Sequence, residues 1–183
     1  MHSLSNRLDR PVVLVGLMGV GKSTVGRRLA RRLGLPFVDS DTEIEDAAGL
    51  TAAEVFDRFG EQEFRDGERR LVARLIEEKV RVIATGGGAF VDPRTRELLK
   101  DRAITVWLDA PVAILADRTS RRDTRPLLRT PDPQATLQQL AEERRPSYSQ
   151  ADIHIRSGEG AHSEVVEAIL TALSRYLGDQ AAT

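Results

Sequence analysis

The sequence predicts a single α/β domain, with a parallel sheet and crossover helices. Three observations carry that prediction. Short β-rich apolar runs recur along the 183 residues, amphipathic segments separate them, and the first run leads through a glycine-rich turn into a helical pattern.

The candidate strands are PVVLVG (11–16), PFVD (36–39), VRVIAT (80–85), AITVWL (103–108) and ADIHI (151–155). Between the first two, Val25, Leu29 and Leu33 recur every four residues, and Gly34 and Pro36 then stop the helix. That is one βαβ unit. In LPFVDSDTEIEDAAG, Ser40 and Glu43 form a capping box that starts the next helix. Asp39 and Asp41 stand two apart at a strand end, so they point to one side and can face a common crevice.

From 41 to 78 consecutive helices are expected, with Thr51 and Glu54 as a second capping box and a break at FGEQEF. This segment reads as an insertion packed beside the sheet. Asp92 and Pro93 open another helix, and Asp109 before Pro111 reads the same way. The stretch from Ser120 to Pro133 is rich in Arg and Pro and lacks periodicity, as a mobile loop would. A helix near 163–177 closes the chain.

Composition narrows the function. Cys is absent, which excludes disulfides and thiolate metal sites and agrees with a reducing cytosol. No apolar run approaches a membrane span and the N-terminus has no apolar signal core, so a cytoplasmic protein is expected. A net charge of -1 argues against a general nucleic-acid surface. The three histidines lie far apart in sequence, which gives little support to a metal cluster or a serine-histidine triad.

GLMGVGKS, Gly16 to Ser23, matches G-x-x-x-x-G-K-[ST] between a predicted strand and a predicted helix. Backbone N–H groups from Gly19 through Val20, Gly21, Lys22 and Ser23 to Thr24 would cradle the phosphates of a nucleoside triphosphate, helped by the helix N-terminus. Lys22 would reach the β and γ phosphates and Ser23 would offer its hydroxyl to Mg2+. Only three of the 27 basic residues are lysines, so Lys22 in this loop is not background composition. Asn6 is the only asparagine, which leaves no Asn-Lys-x-Asp guanine reader. The chain is short for a motor, and a self-contained kinase fits best.

TGGGA (85–89) follows a predicted buried strand at the carboxyl edge, where open α/β sheets bind ligands. Its glycines either let the backbone approach a ligand or simply form a tight turn. Asp109 ends its strand either as a Walker-B acid or as a helix cap.

GLMGVGKSTVGRRLA, DSD (39–41), GEQEFRDGE (60–68), TGGGA, RPLL (125–128) and RRPSY (144–148) stand in an order and spacing that resemble shikimate kinases. The resemblance covers roughly Val12 to Ile155. It implies ATP-dependent phosphorylation of the 3-hydroxyl of shikimate on the route to chorismate, with Mg2+. The implied fold is a three-layer P-loop kinase, a five-stranded parallel sheet flanked by helices. Within the single domain (1–183), the core would span about 11–40 and 79–177, the substrate-binding helical insertion about 41–78 and the lid about 119–133. A monomer is expected, with ATP and shikimate as its partners.

The resemblance also assigns residues. Arg65 and Arg144 match the positions that bind the shikimate carboxylate, for which a planar guanidinium is suited. Arg144, rather than Arg145, lies two residues before the proline. Gly87 is assigned to shikimate, with Gly86 and Gly88 in support, and Asp41 to the attacking hydroxyl. Arg125 matches the lid arginine over the transferring phosphoryl group. Arg118 matches an adenine-stacking position, with a plain surface role as the alternative. Asp39 matches the magnesium-side acid. Two other functions compete: another small-metabolite kinase of this fold, acting on gluconate or a nucleoside monophosphate, and a non-catalytic nucleotide-binding regulatory domain.

Overall fold

The computed structural model describes residues 4–121 and 128–180. All five expected strands form: β1 (Val12–Val15), β2 (Phe37–Asp39), β3 (Val82–Ala84), β4 (Ile104–Asp109) and β5 (Ile153–Arg156). They make one parallel sheet in the order β2-β3-β1-β4-β5, with Val13 in register with Ile83 on one side and Thr105 on the other. Central β1 is buried along its whole length, as a strand covered on both faces must be.

The helices are α1 (Lys22–Leu33), α2 (Ser40–Ala48), α3 (Ala52–Glu78), α4 (Pro93–Arg102), α5 (Val112–Ser120), α6 (Pro133–Tyr148) and α7 (His162–Gln180). Right-handed crossovers set their faces. The chain steps outward from β1 to β2 through α1, and then moves in the opposite direction through β3, β4 and β5. This puts α1 on one face and the later crossover helices on the other. The packing of α7 on α1, α3 on α4 and α5 on α6 agrees. Val25, Leu29 and Leu33 are the buried stripe of α1, and Gly34 closes it in the left-handed conformation.

Most helix boundaries follow their local signals. Thr51 and Glu54 form the expected capping box, and Asp92 caps α4 with Pro93 in the first turn. The break at FGEQEF is a kink inside α3, where Gly60 takes φ 83° and ψ 168°. Two caps differ from expectation. Ser40 is the first residue of α2 and fully buried, and the cap is Asp39, whose carboxylate accepts from Asp41 N and Thr42 N. The strand reaches Asp39 itself, so the extended residue at the junction is the acid and not the serine. Asp109 does not cap α5 either, because β4 extends through it and the cap position falls on Pro111.

Candidate active site

β1 ends at Val15, and the loop that follows turns back so that α1 points its N-terminus at the carboxyl edge of the sheet. Gly16 makes this possible at φ +143°, where a Cβ would stand 2.5 Å from Leu108 O. Gly21 caps α1 with no side-chain bond to its first N–H groups, which leaves that positive end to the loop. Lys22 is only 9% exposed and lies back along the loop, donating to Gly16 O at 2.6 Å and Leu17 O at 3.0 Å. Arg118 reaches this loop from α5, with Nη1 at 3.4 Å from Gly19 O and 3.5 Å from Val20 O, and Nη2 at 3.3 Å from Gly158 O. His162, first residue of α7, stands against Gly21. Burial, then the nearby Arg118 and Arg28, lower its pKa below the usual imidazole value.

Two elements meet at the next position. Ser23 Oγ donates to Asp39 Oδ2, while Oδ1 of the same carboxylate caps α2. One acid therefore orients a helix and also faces the phosphate loop.

The glycine turn after β3 forms the neighbouring wall. A Cβ at Gly86 would lie 2.7 Å from Asp41 Oδ1 and 3.2 Å from Glu68 Oε2, one at Gly87 would lie 3.2 Å from Arg144 Nη1, and one at Gly88 would collide with the Arg65 guanidinium. Residues from α2, α3 and α6 thus converge on three consecutive glycines. Arg65 donates to Glu68 Oε1 at 2.7 Å. Glu68 is 1% exposed, and burial raises its pKa against the opposing pull of Arg65. Arg144 Nη1 and Glu68 Oε2 are buried without a hydrogen-bond partner among the described residues. A buried donor of this kind is costly unless a ligand acceptor meets it.

Asp109 belongs to a different surrounding. Its Oδ2 faces His154 Nε2 at 2.9 Å and Arg145 Nη1 at 3.5 Å, beside a cleft of about 510 Å³ that also includes Trp107 and Gln138. Arg145 lies over the Trp107 ring, and His154 stacks on that ring at 4.1 Å. Adjacent Arg144 and Arg145 are therefore sent to separate places by the helix.

The family model for shikimate kinase matches residues 18–174. The chain belongs to the shikimate kinase family. It is 57% identical over 164 residues to the shikimate kinase of Caulobacter vibrioides, covering 90% of this chain and 82% of that one. Among solved structures, it is similar to the shikimate kinase from Acinetobacter baumannii in complex with shikimate, with a TM-score of 0.87 and 41% identity over 91% of this chain and 93% of that one. A gluconokinase from Sinorhizobium meliloti shares the fold at a TM-score of 0.62 and 19% identity, over 93% of this chain and 94% of that one.

In this shikimate kinase family member, the expected site residues fall in two adjoining groups. Gly19, Val20, Gly21, Lys22, Ser23, Thr24, Arg118 and Asp39 gather at the loop and the start of α1, and Asp41, Arg65, Gly86, Gly87, Gly88 and Arg144 gather at the glycine turn. Arg125 lies outside the described residues. Glu68, Tyr148 and His162 also stand in these groups, and sequence reading did not single them out. Glu68 carried a usable signal, an acid three residues after Arg65 on one helix face. Tyr148 carried a similar one, four residues after Arg144.

Proposed function

We propose that this chain transfers the γ-phosphoryl group of ATP to the 3-hydroxyl of shikimate, giving shikimate 3-phosphate on the route to chorismate and the aromatic amino acids. One observation carries the choice of acceptor. Two guanidinium groups, Arg65 from α3 and Arg144 from α6, reach a glycine turn that Asp41 also faces, beside a phosphate-binding loop. An acceptor with both a carboxylate and hydroxyls is complementary to that set.

In this reading, Gly19 to Thr24 wrap the phosphates with backbone N–H groups, and Lys22 extends from the loop carbonyls toward the β and γ phosphates. Arg118 borders the base. Arg65 and Arg144 hold the acceptor carboxylate, Gly86 to Gly88 admit the ring closely, and Asp41 orients the attacking hydroxyl and takes its proton as the bond to phosphorus forms. Arg125, on a closing lid at about 119–133, neutralises charge on the transferring group and helps exclude water.

The residues at the loop also fit Mg2+. Ser23 Oγ and Asp39 Oδ2 present two hard oxygen atoms side by side. Among the described residues no larger cluster of metal-binding side chains occurs, which suits an ion held by few protein oxygens, waters and substrate phosphates. Bound there, Mg2+ would neutralise phosphate charge.

No described helix is long and apolar enough to cross a membrane. A cytoplasmic monomer needing only the two substrates completes the reading. The test is ADP release by the purified chain with shikimate, gluconate or a nucleoside monophosphate. Shikimate alone should stimulate turnover, and Lys22→Met should suppress kcat; stimulation by gluconate or the monophosphate instead would overturn the assignment.

A further inference from the structure

The three carbonyls of the glycine turn are held by two kinds of partner. Gly86 O accepts from Ala89 N at 3.2 Å, and Gly88 O accepts from Val91 N at 3.1 Å and Asp92 N at 3.3 Å. Gly87 O, between them, accepts from the hydroxyl of Tyr148, 61 residues further along the chain. Tyr148 is 2% exposed, and its ring packs 5.9 Å from that of Trp107. Burial raises the phenol pKa above its usual value, so the group remains a donor across the neutral range.

Arg144 and Tyr148 are four residues apart on α6 and share a face. Both reach the same glycine, Arg144 with Nη1 beside its Cα and Tyr148 at its carbonyl. A trans peptide is planar, with its N–H directed opposite to its C=O. Holding Gly87 O toward the interior therefore sets the Gly88 N–H toward the other side of the turn. Glycine peptides resist rotation poorly, because no Cβ restricts them. The Gly87–Gly88 peptide, whose carbonyl is held by Tyr148 where its neighbours are held by N–H groups of the turn, consequently depends on an outside anchor to keep one orientation.

We propose that Tyr148 is a positioning residue for the acceptor, holding the Gly87–Gly88 peptide and Arg144 in the single relative arrangement that binds shikimate. The proposal rests on the reading that the glycine turn and Arg144 bind that acceptor. Tyr148 touches neither substrate; it acts through Gly87. The hydroxyl carries this role, whereas the ring serves the core beside Trp107.

The test is steady-state kinetics of Tyr148→Phe, Trp107→Phe and Arg144→Ala, with the melting temperature of each. Tyr148→Phe keeps the ring and removes one oxygen. It should raise the shikimate KM roughly three- to tenfold, the worth of one ordinary hydrogen bond, while the ATP KM and kcat stay within about twofold. Trp107→Phe, which disturbs the same packing but spares the hydroxyl, should lower the melting temperature and leave the shikimate KM unchanged. If Arg144→Ala raises the shikimate KM but Tyr148→Phe does not, the proposal fails and the site reading stands. An equal KM rise in Trp107→Phe also overturns it, because packing then explains the effect. If Arg144→Ala leaves the shikimate KM unchanged, the site reading itself fails. Should Tyr148→Phe not fold, calorimetric titration of shikimate into the chain carrying 4-aminophenylalanine at position 148 decides the matter: an N–H donor at the place of the hydroxyl should keep the affinity within about threefold of the parent, and a loss equal to that of Arg144→Ala overturns the proposal.

Discussion

Ser23 and Asp39 are joined by a hydrogen bond from the serine hydroxyl to Oδ2, while Oδ1 of that carboxylate accepts from Asp41 N at 3.0 Å and Thr42 N at 3.3 Å. The two oxygens have separable tasks. Asp39→Asn retains an acceptor for the cap but loses the negative charge beside Ser23. Its stability should stay near the parent's, while the Mg2+ concentration for half-maximal activity rises. Asp39→Ala should additionally lose about 1 kcal/mol of stability with the cap. Magnesium titration of activity and urea unfolding check the two effects separately.

Asp41 and Gly86 form a second pair. Replacing Asp41 by Asn should lower kcat with shikimate by about 10²-fold or more, within the usual range for a lost general base, and leave the Mg2+ requirement unchanged. Gly86→Ala should reduce activity for a steric reason, since its Cβ would stand 2.7 Å from Asp41 Oδ1. If Asp39→Asn and Asp41→Asn give the same phenotype, the division between them is wrong.

The adjoining arginines of α6 make a third comparison. Arg144→Ala should raise the shikimate KM by about tenfold or more, as loss of a charge-assisted hydrogen bond costs roughly 1.5–3 kcal/mol. Arg65→Ala should do the same. Arg145→Ala should leave the shikimate KM unchanged, because that side chain faces Trp107 and Asp109. Parallel KM measurements for shikimate and ATP would expose any error in this assignment.

Glu68 predicts a pH effect. Its pKa is raised in the folded chain by burial, against the lowering influence of Arg65. Between the unfolded and folded pKa values the native state holds the extra proton, so stability from this group is fully present below the ordinary glutamate value and is lost as pH rises through the folded value. Glu68→Gln removes that titration. The stability of the parent minus that of the variant should fall as pH rises across this window, measured by urea unfolding at successive pH values. A difference independent of pH would show that Glu68 does not titrate there.

Much of the fold was legible in the chain. Hydrophobic periodicity located every strand, and the Thr51–Glu54 and Asp92–Pro93 signals marked their helix starts, because each depends on residues within one turn of one another. The α2 cap falls on Asp39 instead of Ser40 because a local signal alone does not separate them. Asp39 and Ser40 are both good caps, and the choice depended on how far β2 runs along β3, where Asp39 is in register with Ala84.

The parallel α/β architecture, the phosphate loop and the family can all be read from the chain alone, since they reside in short-range pattern and motif spacing. That Asp39 serves both Ser23 and α2, that Arg144 turns to the glycines while Arg145 turns to Trp107, and that Tyr148 holds Gly87 are visible only in the folded chain. Those contacts join residues far apart in the chain. They follow from strand order, register and helix rotation, which side chains express together only once the sheet is assembled and its polar groups have found partners.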